Sequence, residues 1–352
     1  MHVHTVARGV YMHSPTDVLA WPSNHFQQHL CESTRSTLLP SLSPDSAASH
    51  IIMSPSILIT AATGELGKLI VDHLLTAGFP ADHITVAVRS PAKVPSEWTA
   101  KGVKVQQIDY DAPASDWAQA ASGIDRLLLI SSSAHGPERQ QQHRNVLEGA
   151  KLAGVKFIAY TSLLYCDSEY LSLAADHLAT ERYIKELGIA YAFLRHGWYT
   201  ENFLRAAPGW KLAGVHVSAA PHAKFSPASR ADYAAADAAV ISAEKVDASA
   251  VYELAGDEVM TYDTLAEAAG KALGKEVKHL PLEREALVQK LQDNGLPPMW
   301  AVVLAGIDDA AEKTGGLFND SKTISTLIGR PTTPWSKTIT EALSANGTAG
   351  AA

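Results

Sequence analysis

Apolar residues follow two rhythms along this chain. Residues 56–60, 84–88, 127–130, 156–160 and 190–194 are apolar almost without interruption, and 103–108, in which apolar and polar residues are mixed, reads as a further strand. Between them lie longer stretches with one apolar stripe: 68–77, with Leu69, Ile70, Leu74 and Ala77, then 139–153 and 173–187. Continuous apolar runs predict strands covered on both faces, and the stripes predict helices that cover them. Strand and helix in alternation predict an α/β fold, a doubly wound parallel sheet with right-handed crossovers. After about Gly197 the rhythm loosens. Residues 251–254 read as a strand, and 262–273 and 283–292 as helices. Gly295-Leu296-Pro297-Pro298 punctuates the chain there.

Residues 53–210 therefore form the expected sheet domain, and 211–343 a smaller C-terminal substrate-covering region woven back onto the sheet edge. Residues 344–352 are rich in Ala, Gly, Asn and Thr and are expected to be a flexible tail. Residues 1–52 hold six of the fifteen histidines and no lysine, with no persistent period. They lack the positive start and apolar centre of a secretory signal, and are too acidic and too poor in arginine for a mitochondrial one. A disordered leader is the expectation, with the folded part beginning near Met53. His2, His4 and His13 fit that leader better than a metal site.

Composition narrows the function. Lys and Arg number 29 against 37 Asp and Glu, a formal charge of −8, which argues against a nucleic-acid binder. No apolar run approaches the ~18 residues needed to span a bilayer, so no membrane is expected as partner. The two cysteines, Cys31 and Cys166, make no disulfide framework, which fits a reducing, cytoplasmic setting.

The first strand runs into Thr60-Ala61-Ala62-Thr63-Gly64-Glu65-Leu66-Gly67 and then a helix. A helix start there points free N–H groups and its dipole at anionic phosphate. Gly64 allows close approach, and Gly67 allows the helix to pack on the strand. Ala61 stands where a first glycine usually makes the turn, and a negative φ is expected of it. At the end of the second strand an acidic residue would hold the ribose of NAD. Arg89 is there instead, with Lys93 nearby, which favours a 2′-phosphate and hence NADPH. Ser131, Ser132 and Ser133 end the fourth strand, where small hydroxyls suit the cofactor's second ribose.

These residues resemble those of the atypical short-chain dehydrogenase/reductases and their NmrA-like group. Lys156-Phe157-Ile158-Ala159-Tyr160-Thr161-Ser162-Leu163-Leu164 and Leu194-Arg195-His196-Gly197-Trp198-Tyr199-Thr200-Glu201-Asn202 are similar to motifs of the type 2 NAD(P)H:quinone oxidoreductases. So are residues 230–234, 252–257 and 315–323. The resemblance spans about 56–335. It implies a Rossmann, NmrA-like fold and reduction of quinones by two electrons from NADPH, with NADH left open, and neither flavin nor metal. Cofactor contacts then fall on Ala61, Ala62, Thr63, Gly64, Glu65, Leu66 and Gly67, on Arg89, Ser132 and Ser133, and on Arg195, His196, Gly197, Trp198, Tyr199 and Thr200. Lys224 opens a loop, 224–229, expected to close over the nicotinamide. The sequence departs from the family at Ala61, for glycine, and at His196, where asparagine is common.

The superfamily's Tyr-x-x-x-Lys pair is absent. Aligned on Glu181, the lysine place falls on His177 and the tyrosine place on Leu173. Reducing a ketone needs that tyrosine to protonate an alkoxide. A quinone does not, because its reduced oxygens are far weaker bases. His177 is either a partner of the nicotinamide ribose, a proton source, or a half-buried helix residue. Tyr165, Trp198 and Tyr199 are candidates for an aromatic slot around a planar acceptor. Asn202 either orients Tyr199 or caps a helix. His135 reads as a surface histidine and Cys166 as a packed thiol. The alternatives to a quinone reductase are a dinucleotide-sensing NmrA-like regulator without turnover, and a pathway reductase acting on another planar conjugated acceptor. A homo-oligomer is left open.

Overall fold

The computed structural model describes residues 54–168 and 173–348. The leader, with its histidines and Cys31, lies outside the described residues, as do 169–172 and 349–352.

The chain lays down β1 (Ile57–Thr60), α1 (Glu65–Thr76), β2 (Ile84–Val88), α2 (Ser96–Lys101), β3 (Lys104–Gln107), α3 (Ala114–Ala120) and β4 (Arg126–Leu129). It continues with α4 (Gly136–Leu152), β5 (Phe157–Leu163), α5 (Ala174–Leu187), β6 (Ala190–His196), α6 (Ala207–Ala213), β7 (Val215–Ser218) and α7 (Arg230–Ser242). Then come β8 (Ala250–Leu254), α8 (Tyr262–Leu273), β9 (Lys278–Pro281), α9 (Arg284–Asp293), α10 (Pro298–Thr314), α11 (Thr323–Ile328) and α12 (Trp335–Thr348). Seven strands form one sheet in the order β3-β2-β1-β4-β5-β6-β8. Every neighbouring pair is parallel, as in Ile57 opposite both Ile84 and Arg126. The order reverses between β1 and β4, which opens a crevice at their C-terminal ends.

Alternation along β1 shows why these residues make a two-sided sheet. Ile57 and Ile59 face α1 and α7, packing with Ile70, Val71 and Ile241. Leu58 faces α3, α4 and α5, packing with Trp117, Leu147 and Phe193. Gly149 lets α4 close onto α3, since a Cβ there would lie 2.3 Å from the Trp117 Cβ. β3, the edge strand, is largely exposed, as its polar side chains require.

The later residues behave as a woven region. α7 covers one face of the main sheet and β8 extends it beyond β6. The remaining elements surround a core of their own, with Trp210, Phe225, Tyr262, Leu265 and Ile339. A small parallel pair, β7 with β9, lies at its margin. The first residues of the tail expected from Ser344 are helical. α12 runs to Thr348, because Ile339 and Leu343 anchor it in that core. No helix among the described residues is long and apolar enough to cross a membrane.

Candidate active site

The crevice floor is the loop from β1 to α1. Gly64 precedes the helix in extended backbone, and its N–H reaches the Ala61 carbonyl at 2.9 Å. No side chain caps α1, so its positive end is left for an anion. Gly67 has no room for a methyl group, because a Cβ would sit 2.5 Å from the Ala61 oxygen. The negative φ expected at Ala61 is wrong. Its φ is 49°, left-handed. The turn must bring the Ala61 carbonyl back over Gly64 and Gly67, and alanine takes the glycine conformation at a cost of about 1–2 kcal/mol. Ala62 and Leu66 are buried beside Ile70, so only their backbone can serve a ligand. Thr63 is half-buried, and Glu65 is exposed, 3.2 Å from Arg230.

At the adenosine side, Arg89 stands in solvent at the end of β2, 3.6 Å from Asp109. An open cleft of about 570 Å³ lies beside it, lined by Gln107, Ile108, Asp109 and Asp116. Lys93, four residues on, is exposed.

The loop after β4 is held from behind. Ser131 donates its N–H to Thr161 Oγ1 at 2.9 Å, and Ser132 donates its N–H to His143 Nε2 at 3.0 Å. His143 therefore carries its proton on Nδ1, toward Thr180 Oγ1 at 2.9 Å. Burial pushes the His143 pKa down to about 3, so it stays a neutral acceptor. The hydroxyls of Ser131 and Ser132 are buried without a protein partner. Ser133 is exposed. His177 is buried on α5, 2.9 Å from the Tyr160 hydroxyl. Burial first, then Arg139, His143 and His196, hold its pKa well below the usual value. It is a neutral hydrogen-bonding group, not an imidazolium acid.

After β5, Tyr165 is also left-handed, with φ 51°. Its N–H donates to Glu253 at 3.0 Å, and its hydroxyl accepts from Asn319 at 2.7 Å. Beneath it lies Arg195, which was expected among the cofactor contacts. The structure turns it inward. Its guanidinium grips Glu181 with two bonds of 2.9 and 2.7 Å, Glu253 at 2.7 Å and Asp167 at 3.0 Å. A strand-end arginine flanked by these acids satisfies itself inside the protein. Cys166 is a packed thiol, bonded to Glu181 at 3.2 Å and pushed up to about 12 by burial.

After β6, His196 is corrected in the same way. It lies buried between the Tyr199 hydroxyl at 3.0 Å and Asp237 at 2.8 Å, stacked on Tyr233. Burial raises the Tyr199 hydroxyl above its ordinary value, so it is a poor acid. Gly197 has little room for a side chain, since a Cβ would lie 2.9 Å from the Tyr233 hydroxyl and 3.2 Å from the Leu254 carbonyl oxygen. Trp198 is half-buried against the second core. Thr200 is tied by its N–H to the Ala228 carbonyl, and its hydroxyl is an unpartnered buried atom. Asn202 neither orients Tyr199 nor caps a helix. It accepts from Arg230 at 3.1 Å, and Arg230 lies over the Tyr199 ring. Lys224 is exposed, but residues 225–229 are buried and pinned by Phe225 pairing with Met260. Within that segment Lys224 alone stands in solvent.

The ends of β1, β4, β5 and β6, neighbours in the sheet, thus bring the 61–67 loop, 131–133, Tyr165 and 197–200 to one edge. Sequence reasoning missed Asp237, which nothing in its local pattern marks, and gave Arg230 no role although it opens the family-like segment 230–234. It also underrated His135, which meets Trp300 of α10 with ring centroids 5.1 Å apart. No group of side chains among the described residues is arranged to hold a metal ion.

Residues 61–251 match the model of a family described as NAD(P)H-binding. Quinone oxidoreductase 2 of Escherichia coli (strain K12) is 46% identical over 290 residues, 82% of this chain and 99% of that one. The crystal structure of the Escherichia coli NADPH-dependent quinone oxidoreductase complexed with NADPH superposes with a TM-score of 0.77 at 45% identity, over 81% of this chain and 99% of that one. The triphenylmethane reductase of Citrobacter sp., complexed with NADP(H), superposes with a TM-score of 0.75 at 34% identity, over 82% of this chain and 100% of that one.

Proposed function

We infer that this chain, which belongs to the NAD(P)H-binding family and its NmrA-like, atypical short-chain dehydrogenase/reductase group, is an NADPH-dependent quinone oxidoreductase. The observation that carries the reading is the 46% identity running through 99% of the length of the Escherichia coli quinone oxidoreductase 2.

The residues present fit the cofactor. An uncapped helix start with an exposed glycine suits a pyrophosphate, and two buried, unpartnered serine hydroxyls border the crevice beside it. Bound NADPH supplies a hydride to the acceptor. The backbone of 61–67 holds the phosphates, and Arg89 pairs with the 2′-phosphate. Ser132 and Ser133 border the second ribose, with His177 as a neutral hydrogen-bonding group behind them. Residues 197–200 support the nicotinamide end through their backbone. Tyr165 and Tyr199 act as walls, since both hydroxyls are already engaged within the protein. The protein's task is then orientation and exclusion of water, and the reduced oxygen takes its proton from solvent. Residues 53–210 provide the cofactor side. Residues 211–343 cover the acceptor, with α7 and β8 returned to the sheet. A free, buried Cys166 fits the reducing conditions of a cytoplasmic location.

Loss of NADPH absorbance on adding a benzoquinone or naphthoquinone tests the reading, with NADH run alongside. Rapid oxidation, faster with NADPH, is expected. Bound NADPH that no quinone oxidises would make the protein a dinucleotide sensor. Arg89→Glu should weaken NADPH roughly tenfold to a hundredfold, the worth of one charge-assisted bond, and leave NADH nearly unchanged. Titration of NADPH fluorescence measures this, and an unaltered affinity would remove Arg89 from the site.

A further inference from the structure

We propose that His135 donates the hydrogen bond that holds the acceptor's carbonyl oxygen, with the Trp300 indole as the flat wall beside it. The inference rests on the quinone reductase reading and assigns that site its polar contact.

His135 follows Ser133 by two residues and is the last residue before α4. It is half-exposed at the C-terminal end of β4, where ligands of such sheets bind. Its ring is not free to choose a tautomer. Arg139 Nη2 lies 3.2 Å from His135 Nδ1, and a guanidinium only donates. Nδ1 therefore accepts, and the ring hydrogen sits on Nε2. No group among the described residues accepts from Nε2.

Arg139 is itself fixed. It is buried, its Nε donates to the Ala134 carbonyl at 2.5 Å, and its Nη1 lies 3.8 Å from Asp176. The same Asp176 accepts the Gly136 N–H at 2.7 Å, so one carboxylate anchors both the arginine and the backbone next to His135. A directed N–H donor is thus held on a rigid support, which an incidental surface histidine does not need.

The far wall comes from the C-terminal region. Trp300 meets the His135 ring nearly edge-on, at 78° between planes. An aromatic ring beside one N–H donor fits a planar acceptor bearing a carbonyl group. The hydride that bound NADPH would supply breaks its C–H bond and forms an O–H bond at the far carbonyl of the quinone. The ring becomes aromatic, negative charge gathers on the oxygen held by His135, and a solvent proton completes the hydroquinone. A preset donor stabilises the charge as it develops. Imidazole with its hydrogen on Nε2 acts by hydrogen bonding, not by giving the proton up.

The test uses the full chain with a naphthoquinone. His135→Leu should lower kcat/KM for the quinone tenfold or more, on the order of one hydrogen bond to a charged oxygen. NADPH affinity, read by fluorescence, should not change. His135→Gln, whose amide N–H can take the place of Nε2, should recover most of the loss. Trp300→Ala should raise KM for the quinone more than it lowers kcat. Wild-type kcat/KM in His135→Leu, or no recovery in His135→Gln, overturns the inference while wild-type turnover keeps the quinone reductase reading. Absence of quinone turnover in the wild-type protein overturns both.

Discussion

Gly67→Ala should bind no NADPH detectable by fluorescence and should melt several degrees below wild type. The added methyl would lie 2.5 Å from the Ala61 oxygen and 2.7 Å from the Ala62 Cα. Both are backbone atoms of a turn already in a left-handed conformation at Ala61. Neither can swing aside as a flexible side chain would, so the loop must lift from the helix. Overpacking of this kind costs about 1–3 kcal/mol, and the lifted loop no longer directs its amides at one point. Gly64→Ala is the contrasting case. Its Cβ would meet only the Ala61 oxygen, at 3.2 Å, and its backbone is extended. That variant should keep its melting temperature and lose affinity alone, because the methyl occupies the exposed side that phosphate approaches. Normal binding and stability in Gly67→Ala would show that this loop does not hold the cofactor as described.

Arg195→Met should remove about 3–5 kcal/mol of stability in urea unfolding, the range for breaking one partner of a buried ion pair. Glu181 is fully buried and would be left without its two-pronged partner. Glu253, freed of the same guanidinium, also holds the Tyr165 N–H, so the loop after β5 should loosen with it. Removing both charges should be milder. Glu181→Leu combined with Arg195→Met should destabilise by clearly less than the sum of the single changes, because no charge is then stranded. Additive losses would show that the pair is not coupled.

Much of the main sheet was legible from the sequence. β1, β2, β4, β5 and β6 are apolar enough to announce burial on both faces, and β8 carries a recognisable run. β7 and β9 were not legible. Each has four residues, partly exposed, paired only with the other, so no long apolar pattern was required of them. α7 escaped the periodicity because alanine fills its buried and half-buried positions alike. At the site, the places of the 61–67 loop and of Arg89 could be read because each directly follows a strand, β1 and β2. Arg195 and His196 could not, since only the fold shows that Glu181 and Asp237 lie across from them. His135 was discounted because its partner Trp300 is far along the chain, and spacing carries no record of that meeting.

The placement of β8 has a consequence for the newly made chain. β6 ends at His196, but the strand that covers its outer edge begins only at Ala250, roughly fifty residues later. As the polypeptide leaves the ribosome, a strongly apolar strand with unpaired backbone groups waits for all of that length. Open edges of this kind invite association between nascent chains. A premature stop between Gly197 and Ser249 should therefore yield aggregates rather than a smaller folded protein, and a chaperone that shields strand edges should raise the yield of the full-length enzyme.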